Sequence, residues 1–295
     1  MKNLISVALL WAFGCSVVFG ADEVRKVPFE LRSGLVIVQA AINGDSGSFV
    51  FDTGFPHTVV NPKKVENLKR LPHVAMGAAL KGLPVEVGHF TWAGIERRNL
   101  TAVAMDVRTL ERTSATELMG VIGLDVLEQH EVLFDMANQV LMLYDADEDW
   151  LHLQRTPVHE FRFRLKAGLP VIKAKVGKKR LSIGVDVGGS RNLMSEEMLT
   201  VFSAAHLGER SRKWMRGLNQ EEAYMTIAPV CGLQLDRSAF ERVTFVFGDL
   251  GRADSFGIQG LLGLPFLGKY RFSINYKTKR IYLWPHAAEA NYRRI

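Results

Sequence analysis

The sequence predicts an all-β protein with few short helices, built as two tandem lobes. Two internal alignments and one compositional pattern carry that reading. Shifted by 134, LVIVQAAINGDSGSFVFDTGFPHTVVN (35–61) falls on LPVIKAKVGKKRLSIGVDVGGSRNLMS (169–195), which sets Asp52 on Asp186, Gly54 on Gly188 and Val59 on Leu193. Shifted by 140, VIGLDVLEQHEVLFDMANQVLMLY (121–144) falls without a gap on LLGLPFLGKYRFSINYKTKRIYLW (261–284). The two offsets imply a six-residue insertion in the middle of the second copy. Throughout, short runs dense in Val, Ile, Phe and Thr alternate with Gly, Pro, Asn and Asp, the punctuation of strands and tight turns.

The elements follow in order. Residues 1–20 combine a short basic start (MKN), an apolar run (LISVALLWAFGCSVVF) and a small-residue cleavage pattern (VFG before Ala21), the composition of a signal peptide. Export, most simply to a bacterial periplasm, is therefore expected, with a membrane anchor from an uncleaved leader as the alternative. Cys231 would be the one cysteine left, so no internal disulfide is expected. The N-terminal lobe is assigned to 22–148, a polar linker to 149–160, the C-terminal lobe to 161–286 and a tail to 287–295. Each lobe opens on strand, turn, strand and then Asp-x-Gly. The best helical patterns are 61–71, 114–129 and 195–214.

Net charge is +6, about +5 without the leader, and basic residues are scattered apart from KVGKKR (175–180) and SRKWMR (211–216). No nucleic-acid motif accompanies them, so no nucleic-acid partner is expected. His130, His152 and His159 lack the spacing of a zinc cluster. Gly44-Asp45-Ser46-Gly47 reads as a hairpin turn rather than a serine nucleophile loop, since no histidine motif precedes it. GIQGLLG (257–263) leads into an apolar strand and not into a phosphate-binding helix.

One question remains: why does the apolar run SFVF deliver a carboxylate, Asp52, into Thr53-Gly54? The run Phe49-Val50-Phe51-Asp52-Thr53-Gly54, followed far downstream by Val121-Ile122-Gly123, resembles the retropepsin-like aspartic proteases, and in particular bacterial exported forms with two tandem lobes. The second lobe repeats it as Ile183-Gly184-Val185-Asp186-Val187-Gly188 and Leu261-Leu262-Gly263. The resemblance implies two β-barrel lobes related by a pseudo-two-fold axis and an aspartic endopeptidase acting on extended polypeptide. Asp52 and Asp186 would share one proton and hold one water. Thr53, Gly54 and Gly188 would support them, and the strands 121–123 and 261–263 would pack beneath. Hairpin flaps would cover the substrate, at 73–87 with Gly77 and at 214–227 with Gly217. The same resemblance implies no metal or organic cofactor and a monomer of two lobes.

Three positions depart from the pattern. Val187 stands where the second lobe would carry Thr or Ser, so half of the cross-lobe hydroxyl pairing is missing. Phe55-Pro56 replaces a small residue and is a candidate for a substrate-subsite wall. Gly184 replaces a bulky apolar residue and predicts a looser strand. Val187 and Phe55 motivate a rival reading: the same fold binding extended peptide or cell-envelope polymer without cleaving it.

Overall fold

The computed structural model describes residues 24–72, 82–146, 156–216 and 222–286. Strands make up 55% of it, and helices are short. The first half runs through β1 (Arg25–Pro28), β2 (Glu30–Arg32), β3 (Leu35–Ile42), β4 (Asp45–Phe51), β5 (Val59–Val60), β6 (Lys69–Arg70), β7 (Leu83–Trp92), β8 (Ile95–Ala104), β9 (Gly120–Ile122), β10 (His130–Asp135) and β11 (Val140–Asp145). The second half runs through β12 (His159–Lys166), β13 (Leu169–Val176), β14 (Lys179–Val185), β15 (Leu193–Ser195), β16 (Ser211–Arg216), β17 (Glu222–Leu235), β18 (Ser238–Gly248), β19 (Gly260–Leu262), β20 (Arg271–Asn275) and β21 (Arg280–Trp284).

Two closed barrels result. In the first, β3, β4, β9, β5, β8 and β7 pair in ring order, and β7 returns to β3 through Ala41↔Thr91 and Ile42↔Phe90. In the second, β13, β14, β19, β15, β18 and β17 do the same, closed by Ala174↔Leu235. Closure leaves no open sheet edge within either ring. It also explains the unbroken apolar end of β4. Phe49 and Phe51 point inward against Phe90, Trp92 and Phe134. Val50 points the other way, into a second cluster with Leu35, Ile37, Val59 and Val121. Both faces are buried, so alternation is lost.

The internal repeat extends further than the sequence reading gave it. Arg25↔Leu143 in β1–β11 matches His159↔Leu283 in β12–β21, and Glu30↔Ile37 matches Arg164↔Val171. The six-residue insertion is a net figure. The offset is 134 at β5 and β15, and 143 at the next hairpin, where Trp92↔Ile95 matches Leu235↔Ser238. It returns to 140 at β9 and β19, after Arg108–Ser114, a seven-residue helix in the first lobe, gives way to Arg252–Ser255 in the second.

The lobes join through one sheet in the order β1-β11-β10-β20-β21-β12. Its centre is the antiparallel pair β10–β20, where Leu133 faces Ser273. These two residues are equivalent in the repeat, so the pseudo-two-fold axis passes between them. On either side lie equivalent contacts of different chemistry. Glu131 is buried and accepts hydrogen bonds from Ser273 Oγ and from Asn275 Nδ2 (3.1 Å). At the mirrored positions Arg271 pairs with Asp135 at 3.2 Å. Phe134 and Phe272 stack across the same join at 4.4 Å. A buried carboxylate is stable only while its donors remain. Ser273→Ala is therefore expected to cost about 1–3 kcal/mol, read as a lower denaturant midpoint with an unchanged slope.

Three helical expectations fail. The 61–71 segment closes a single turn at Asn61–Val65, turns left-handed at Asn67 (φ 56°), and enters β6. In 114–129, Ala115 ends the preceding helix left-handed (φ 50°), and Val121 and Ile122 are drawn into the barrel as β9, leaving only Leu124–Leu127 helical. In 195–214 only Met198–Val201 and a 3₁₀ turn at Ala204–His206 form before β16 begins. At 114–129 a barrel strand claims the apolar residues that suggested helix, and tertiary burial outweighs local propensity; at 61–71 and 195–214 the segment instead runs into the ladder strands β6 and β16. Of the expected linker 149–160, residues 149–155 lie outside the described residues; Val158 N–H donates to Leu283 O at 2.8 Å, and β12 starts at His159.

Candidate active site

Asp52 and Asp186 stand one residue beyond β4 and β14, where each strand runs parallel to the apolar-apolar-Gly strand of its own lobe. The Asp52 N–H donates to Ile122 O (3.2 Å) and the Asp186 N–H to Leu262 O (3.0 Å), so β9 and β19 fix the two loops. The loops then turn toward each other. Gly54 N–H donates to Asp52 Oδ1 at 2.7 Å. The N–H groups of Gly188 and Gly189 hydrogen-bond the Asp186 carboxylate, which in turn is in hydrogen-bonding contact with Asp52. The position a Cβ would take on Gly54 is 3.1 Å from Asp52 Oδ1 and 3.2 Å from Asp186 Oδ1. On Gly188 it would fall 2.2 Å from Asp52 Oδ2. Each glycine thus packs on the carboxylate of the opposite lobe, and at Gly188 only a missing side chain permits that approach.

Asp186 Oδ1 is buried and meets no N–H or O–H of a neighbouring group among the described residues. The contact with Asp52 explains this: two carboxylate oxygens can bond only through a proton that one of them carries. Burial first, and the Asp52 charge second, hold the Asp186 carboxyl well above the usual carboxylate range. Because the folded value is raised, its contribution to stability is intact below the unfolded value of about 3.9 and is lost as pH rises through the folded value. Asp186→Asn removes that loss. Its melting temperature is expected to match the wild type near pH 3.5 and to exceed it increasingly toward neutrality, by ~2–4 °C per kcal/mol of repulsion relieved. Calorimetry across that range checks the sign.

The hydroxyl pairing is one-sided. Val187 N–H donates to Thr53 Oγ1 at 3.0 Å across the lobes, within a fully buried contact. Val187 itself packs into the main core with nothing to return. Gly184 does not loosen its strand: Leu169 and Leu261 fill the space a side chain would need, at 2.5 and 2.7 Å from its absent Cβ. Phe55 is half-buried. Its ring packs against the Leu35, Val50 and Val121 cluster, and its carbonyl accepts from Leu124 N–H at 2.9 Å. Pro56 seats Gly168 (φ +85°) of the other lobe, and in mirror image Ser190 seats Gly34 (φ +82°).

Beneath the loops, Gly123 and Gly263 meet backbone rather than side chains, at His57 O and Gly189 O. Each donates its N–H to the equivalent residue of its own lobe, Gly123 to Thr58 Oγ1 at 3.5 Å. Gly263 N–H donates straight to Asn192 Oδ1 (3.0 Å). On the first side Thr58 stands at the equivalent place, bound through its N–H and its hydroxyl to Asp125 at 2.8 Å each. Asp125, Asn192 and Tyr276 are residues that sequence reasoning missed. Asn192 carried a readable signal, because it aligns with Thr58 at an offset of 134. Of the segments expected as flaps, 73–87 is described only from 82 onward, where β7 pairs β6 through Lys69↔Glu86, and in 214–227 β16 pairs β17 through the exposed Trp214 and Tyr224. Gly77, Gly217 and the hairpin tips lie outside the described residues, as does the 1–20 leader.

No protein-family model and no curated protein matches the sequence. Among solved structures the chain is similar to an aspartic proteinase from Irpex lacteus, with a TM-score of 0.54 at 12% identity, over 90% of this chain and 98% of that one. The likeness spans both lobes and is one of fold: an all-β, two-barrel aspartic proteinase architecture.

Proposed function

We propose that this protein is an aspartic endopeptidase of the tandem-lobe, exported bacterial type, cleaving extended polypeptide through Asp52 and Asp186. The observation that carries the reading is the contact of two carboxylates from opposite lobes, each crowded by the other lobe's glycine. Such a pair holds one proton between two acids. A water between them loses a proton to the ionised carboxylate as its oxygen attacks the scissile carbonyl carbon. The protonated carboxyl donates to the carbonyl oxygen as negative charge develops there. Collapse of the tetrahedral centre breaks the C–N bond, and the proton passes to the departing amine. Substrate would lie extended along the exposed β16–β17 and β6–β7 hairpins and pair with strand edges.

The rival reading, a module that binds extended peptide or cell-envelope polymer without cutting it, rests on Val187 and Phe55. It predicts carboxylates held apart, and the contact between Asp52 and Asp186 counts against it. The test is incubation of the purified protein with an unstructured polypeptide from acid to neutral pH, wild type beside Asp186→Asn. Fragments from the wild type that decline as pH rises through the pair's upper transition support the enzyme. Binding without fragments at any pH overturns it.

A further inference from the structure

Tyr276 follows β20 directly and lies beneath the two aspartate loops, with its side chain buried in the same core cluster as Val187. Its ring meets Phe163 edge-on at 6.0 Å. Its hydroxyl is fully buried, interacts with Thr53, and lies within electrostatic reach of both Asp52 and Asp186. No donor or acceptor among the described residues completes a well-aligned hydrogen bond to it. A buried phenol so placed requires a reason, because leaving a hydroxyl unsatisfied is costly.

The repeat supplies the reason. At an offset of 134 Thr53 corresponds to Val187, and at 140 Tyr276 corresponds to Met136. The first lobe carries a hydroxyl in the loop and none on the strand below; the second carries none in the loop and one on the strand below. The two substitutions are complementary. Thr53 Oγ1 already accepts from Val187 N–H. A hydroxyl has one proton and two lone pairs, so a proton and a lone pair remain unassigned on Thr53. Tyr276 can meet either.

We propose that Tyr276 is a positioning residue that replaces, from the floor of the site, the hydroxyl that Val187 removed from the second loop. It locks Thr53, and through Thr53 the relative setting of the two aspartate loops. Burial raises the phenol's pKa and keeps it protonated, so it remains a donor over the working pH range. The inference rests on the endopeptidase reading for its kinetic consequence, but its structural half does not.

Two measurements separate them. The first needs no activity: thermal unfolding of Tyr276→Phe, Thr53→Val and the double variant. If the two hydroxyls act together, the double variant loses no more than the larger single loss; fully additive losses overturn the proposal. The second is kinetic. Tyr276→Phe is expected to lower kcat about tenfold, within the range that follows misplacement of catalytic groups, with KM changed less than twofold. Adding Val187→Thr, nearly isosteric and restoring the loop hydroxyl, is expected to recover most of that loss. An unchanged kcat in Tyr276→Phe, or a loss that Val187→Thr leaves untouched, overturns it. A wild type that does not cleave refutes the endopeptidase reading alone, and the unfolding cycle still decides whether Tyr276 and Thr53 are coupled.

Discussion

Asp52→Asn and Asp186→Asn are each expected to lower kcat/KM by roughly 10²–10⁴-fold, the range for loss of a positioned acid or base. The amide keeps the shape of the carboxylate, so the fold should survive. Asn cannot share a proton between two acids, and neither variant retains a pair. The double variant should be little worse than either single one, because groups that act as a unit lose their contribution together. Steady-state kinetics on an unstructured polypeptide, with circular dichroism confirming the fold, reads this directly. Equal activity in either single variant would end the assignment of both residues.

Gly188→Ala is expected to be nearly as damaging without touching a titratable group. The added Cβ would lie 2.2 Å from Asp52 Oδ2 and 2.3 Å from its Cγ, inside any allowed contact. The Asp52 carboxyl must move by the order of 1 Å, and a displacement of that size at reacting groups costs roughly 10²-fold. Gly188 does not need a left-handed backbone, so alanine there should fold. Gly54→Ala provides the control. Its Cβ would meet the carboxylate oxygens at 3.1 and 3.2 Å, a contact that small shifts relieve, and only a few-fold loss is expected. A Gly188→Ala enzyme as active as Gly54→Ala would show that the close approach across the lobes is not what sets the carboxylates.

Much of this was legible in the residues because duplication makes a sequence its own control. Asp52 and Asp186 each stand in a run that repeats, and the repeat predicted that they occupy equivalent places. The all-β class followed from strand and turn composition. What was not legible is what depends on the third dimension. The helical pattern at 114–129 is locally sound, and loses to a barrel that needs Val121 and Ile122. Gly184 reads as a weakness until Leu169 and Leu261 are seen to fill its place. The apolar cluster on which the Phe55 ring packs is assembled from strands far apart in sequence. Tyr276 carries no motif at all. Its neighbour in space, Thr53, is more than two hundred positions away in sequence, and only folding brings the two hydroxyls together.

The join at β10–β20 has a consequence for ancestry and assembly. Glu131 meets Asn275, and Arg271 meets Asp135. A homodimer of first halves docked the same way would press Glu131 against Asp135 twice, acid on acid out of reach of solvent. The two halves have thus become lock and key rather than twins: each is chemically committed to its partner and unsuited to a copy of itself.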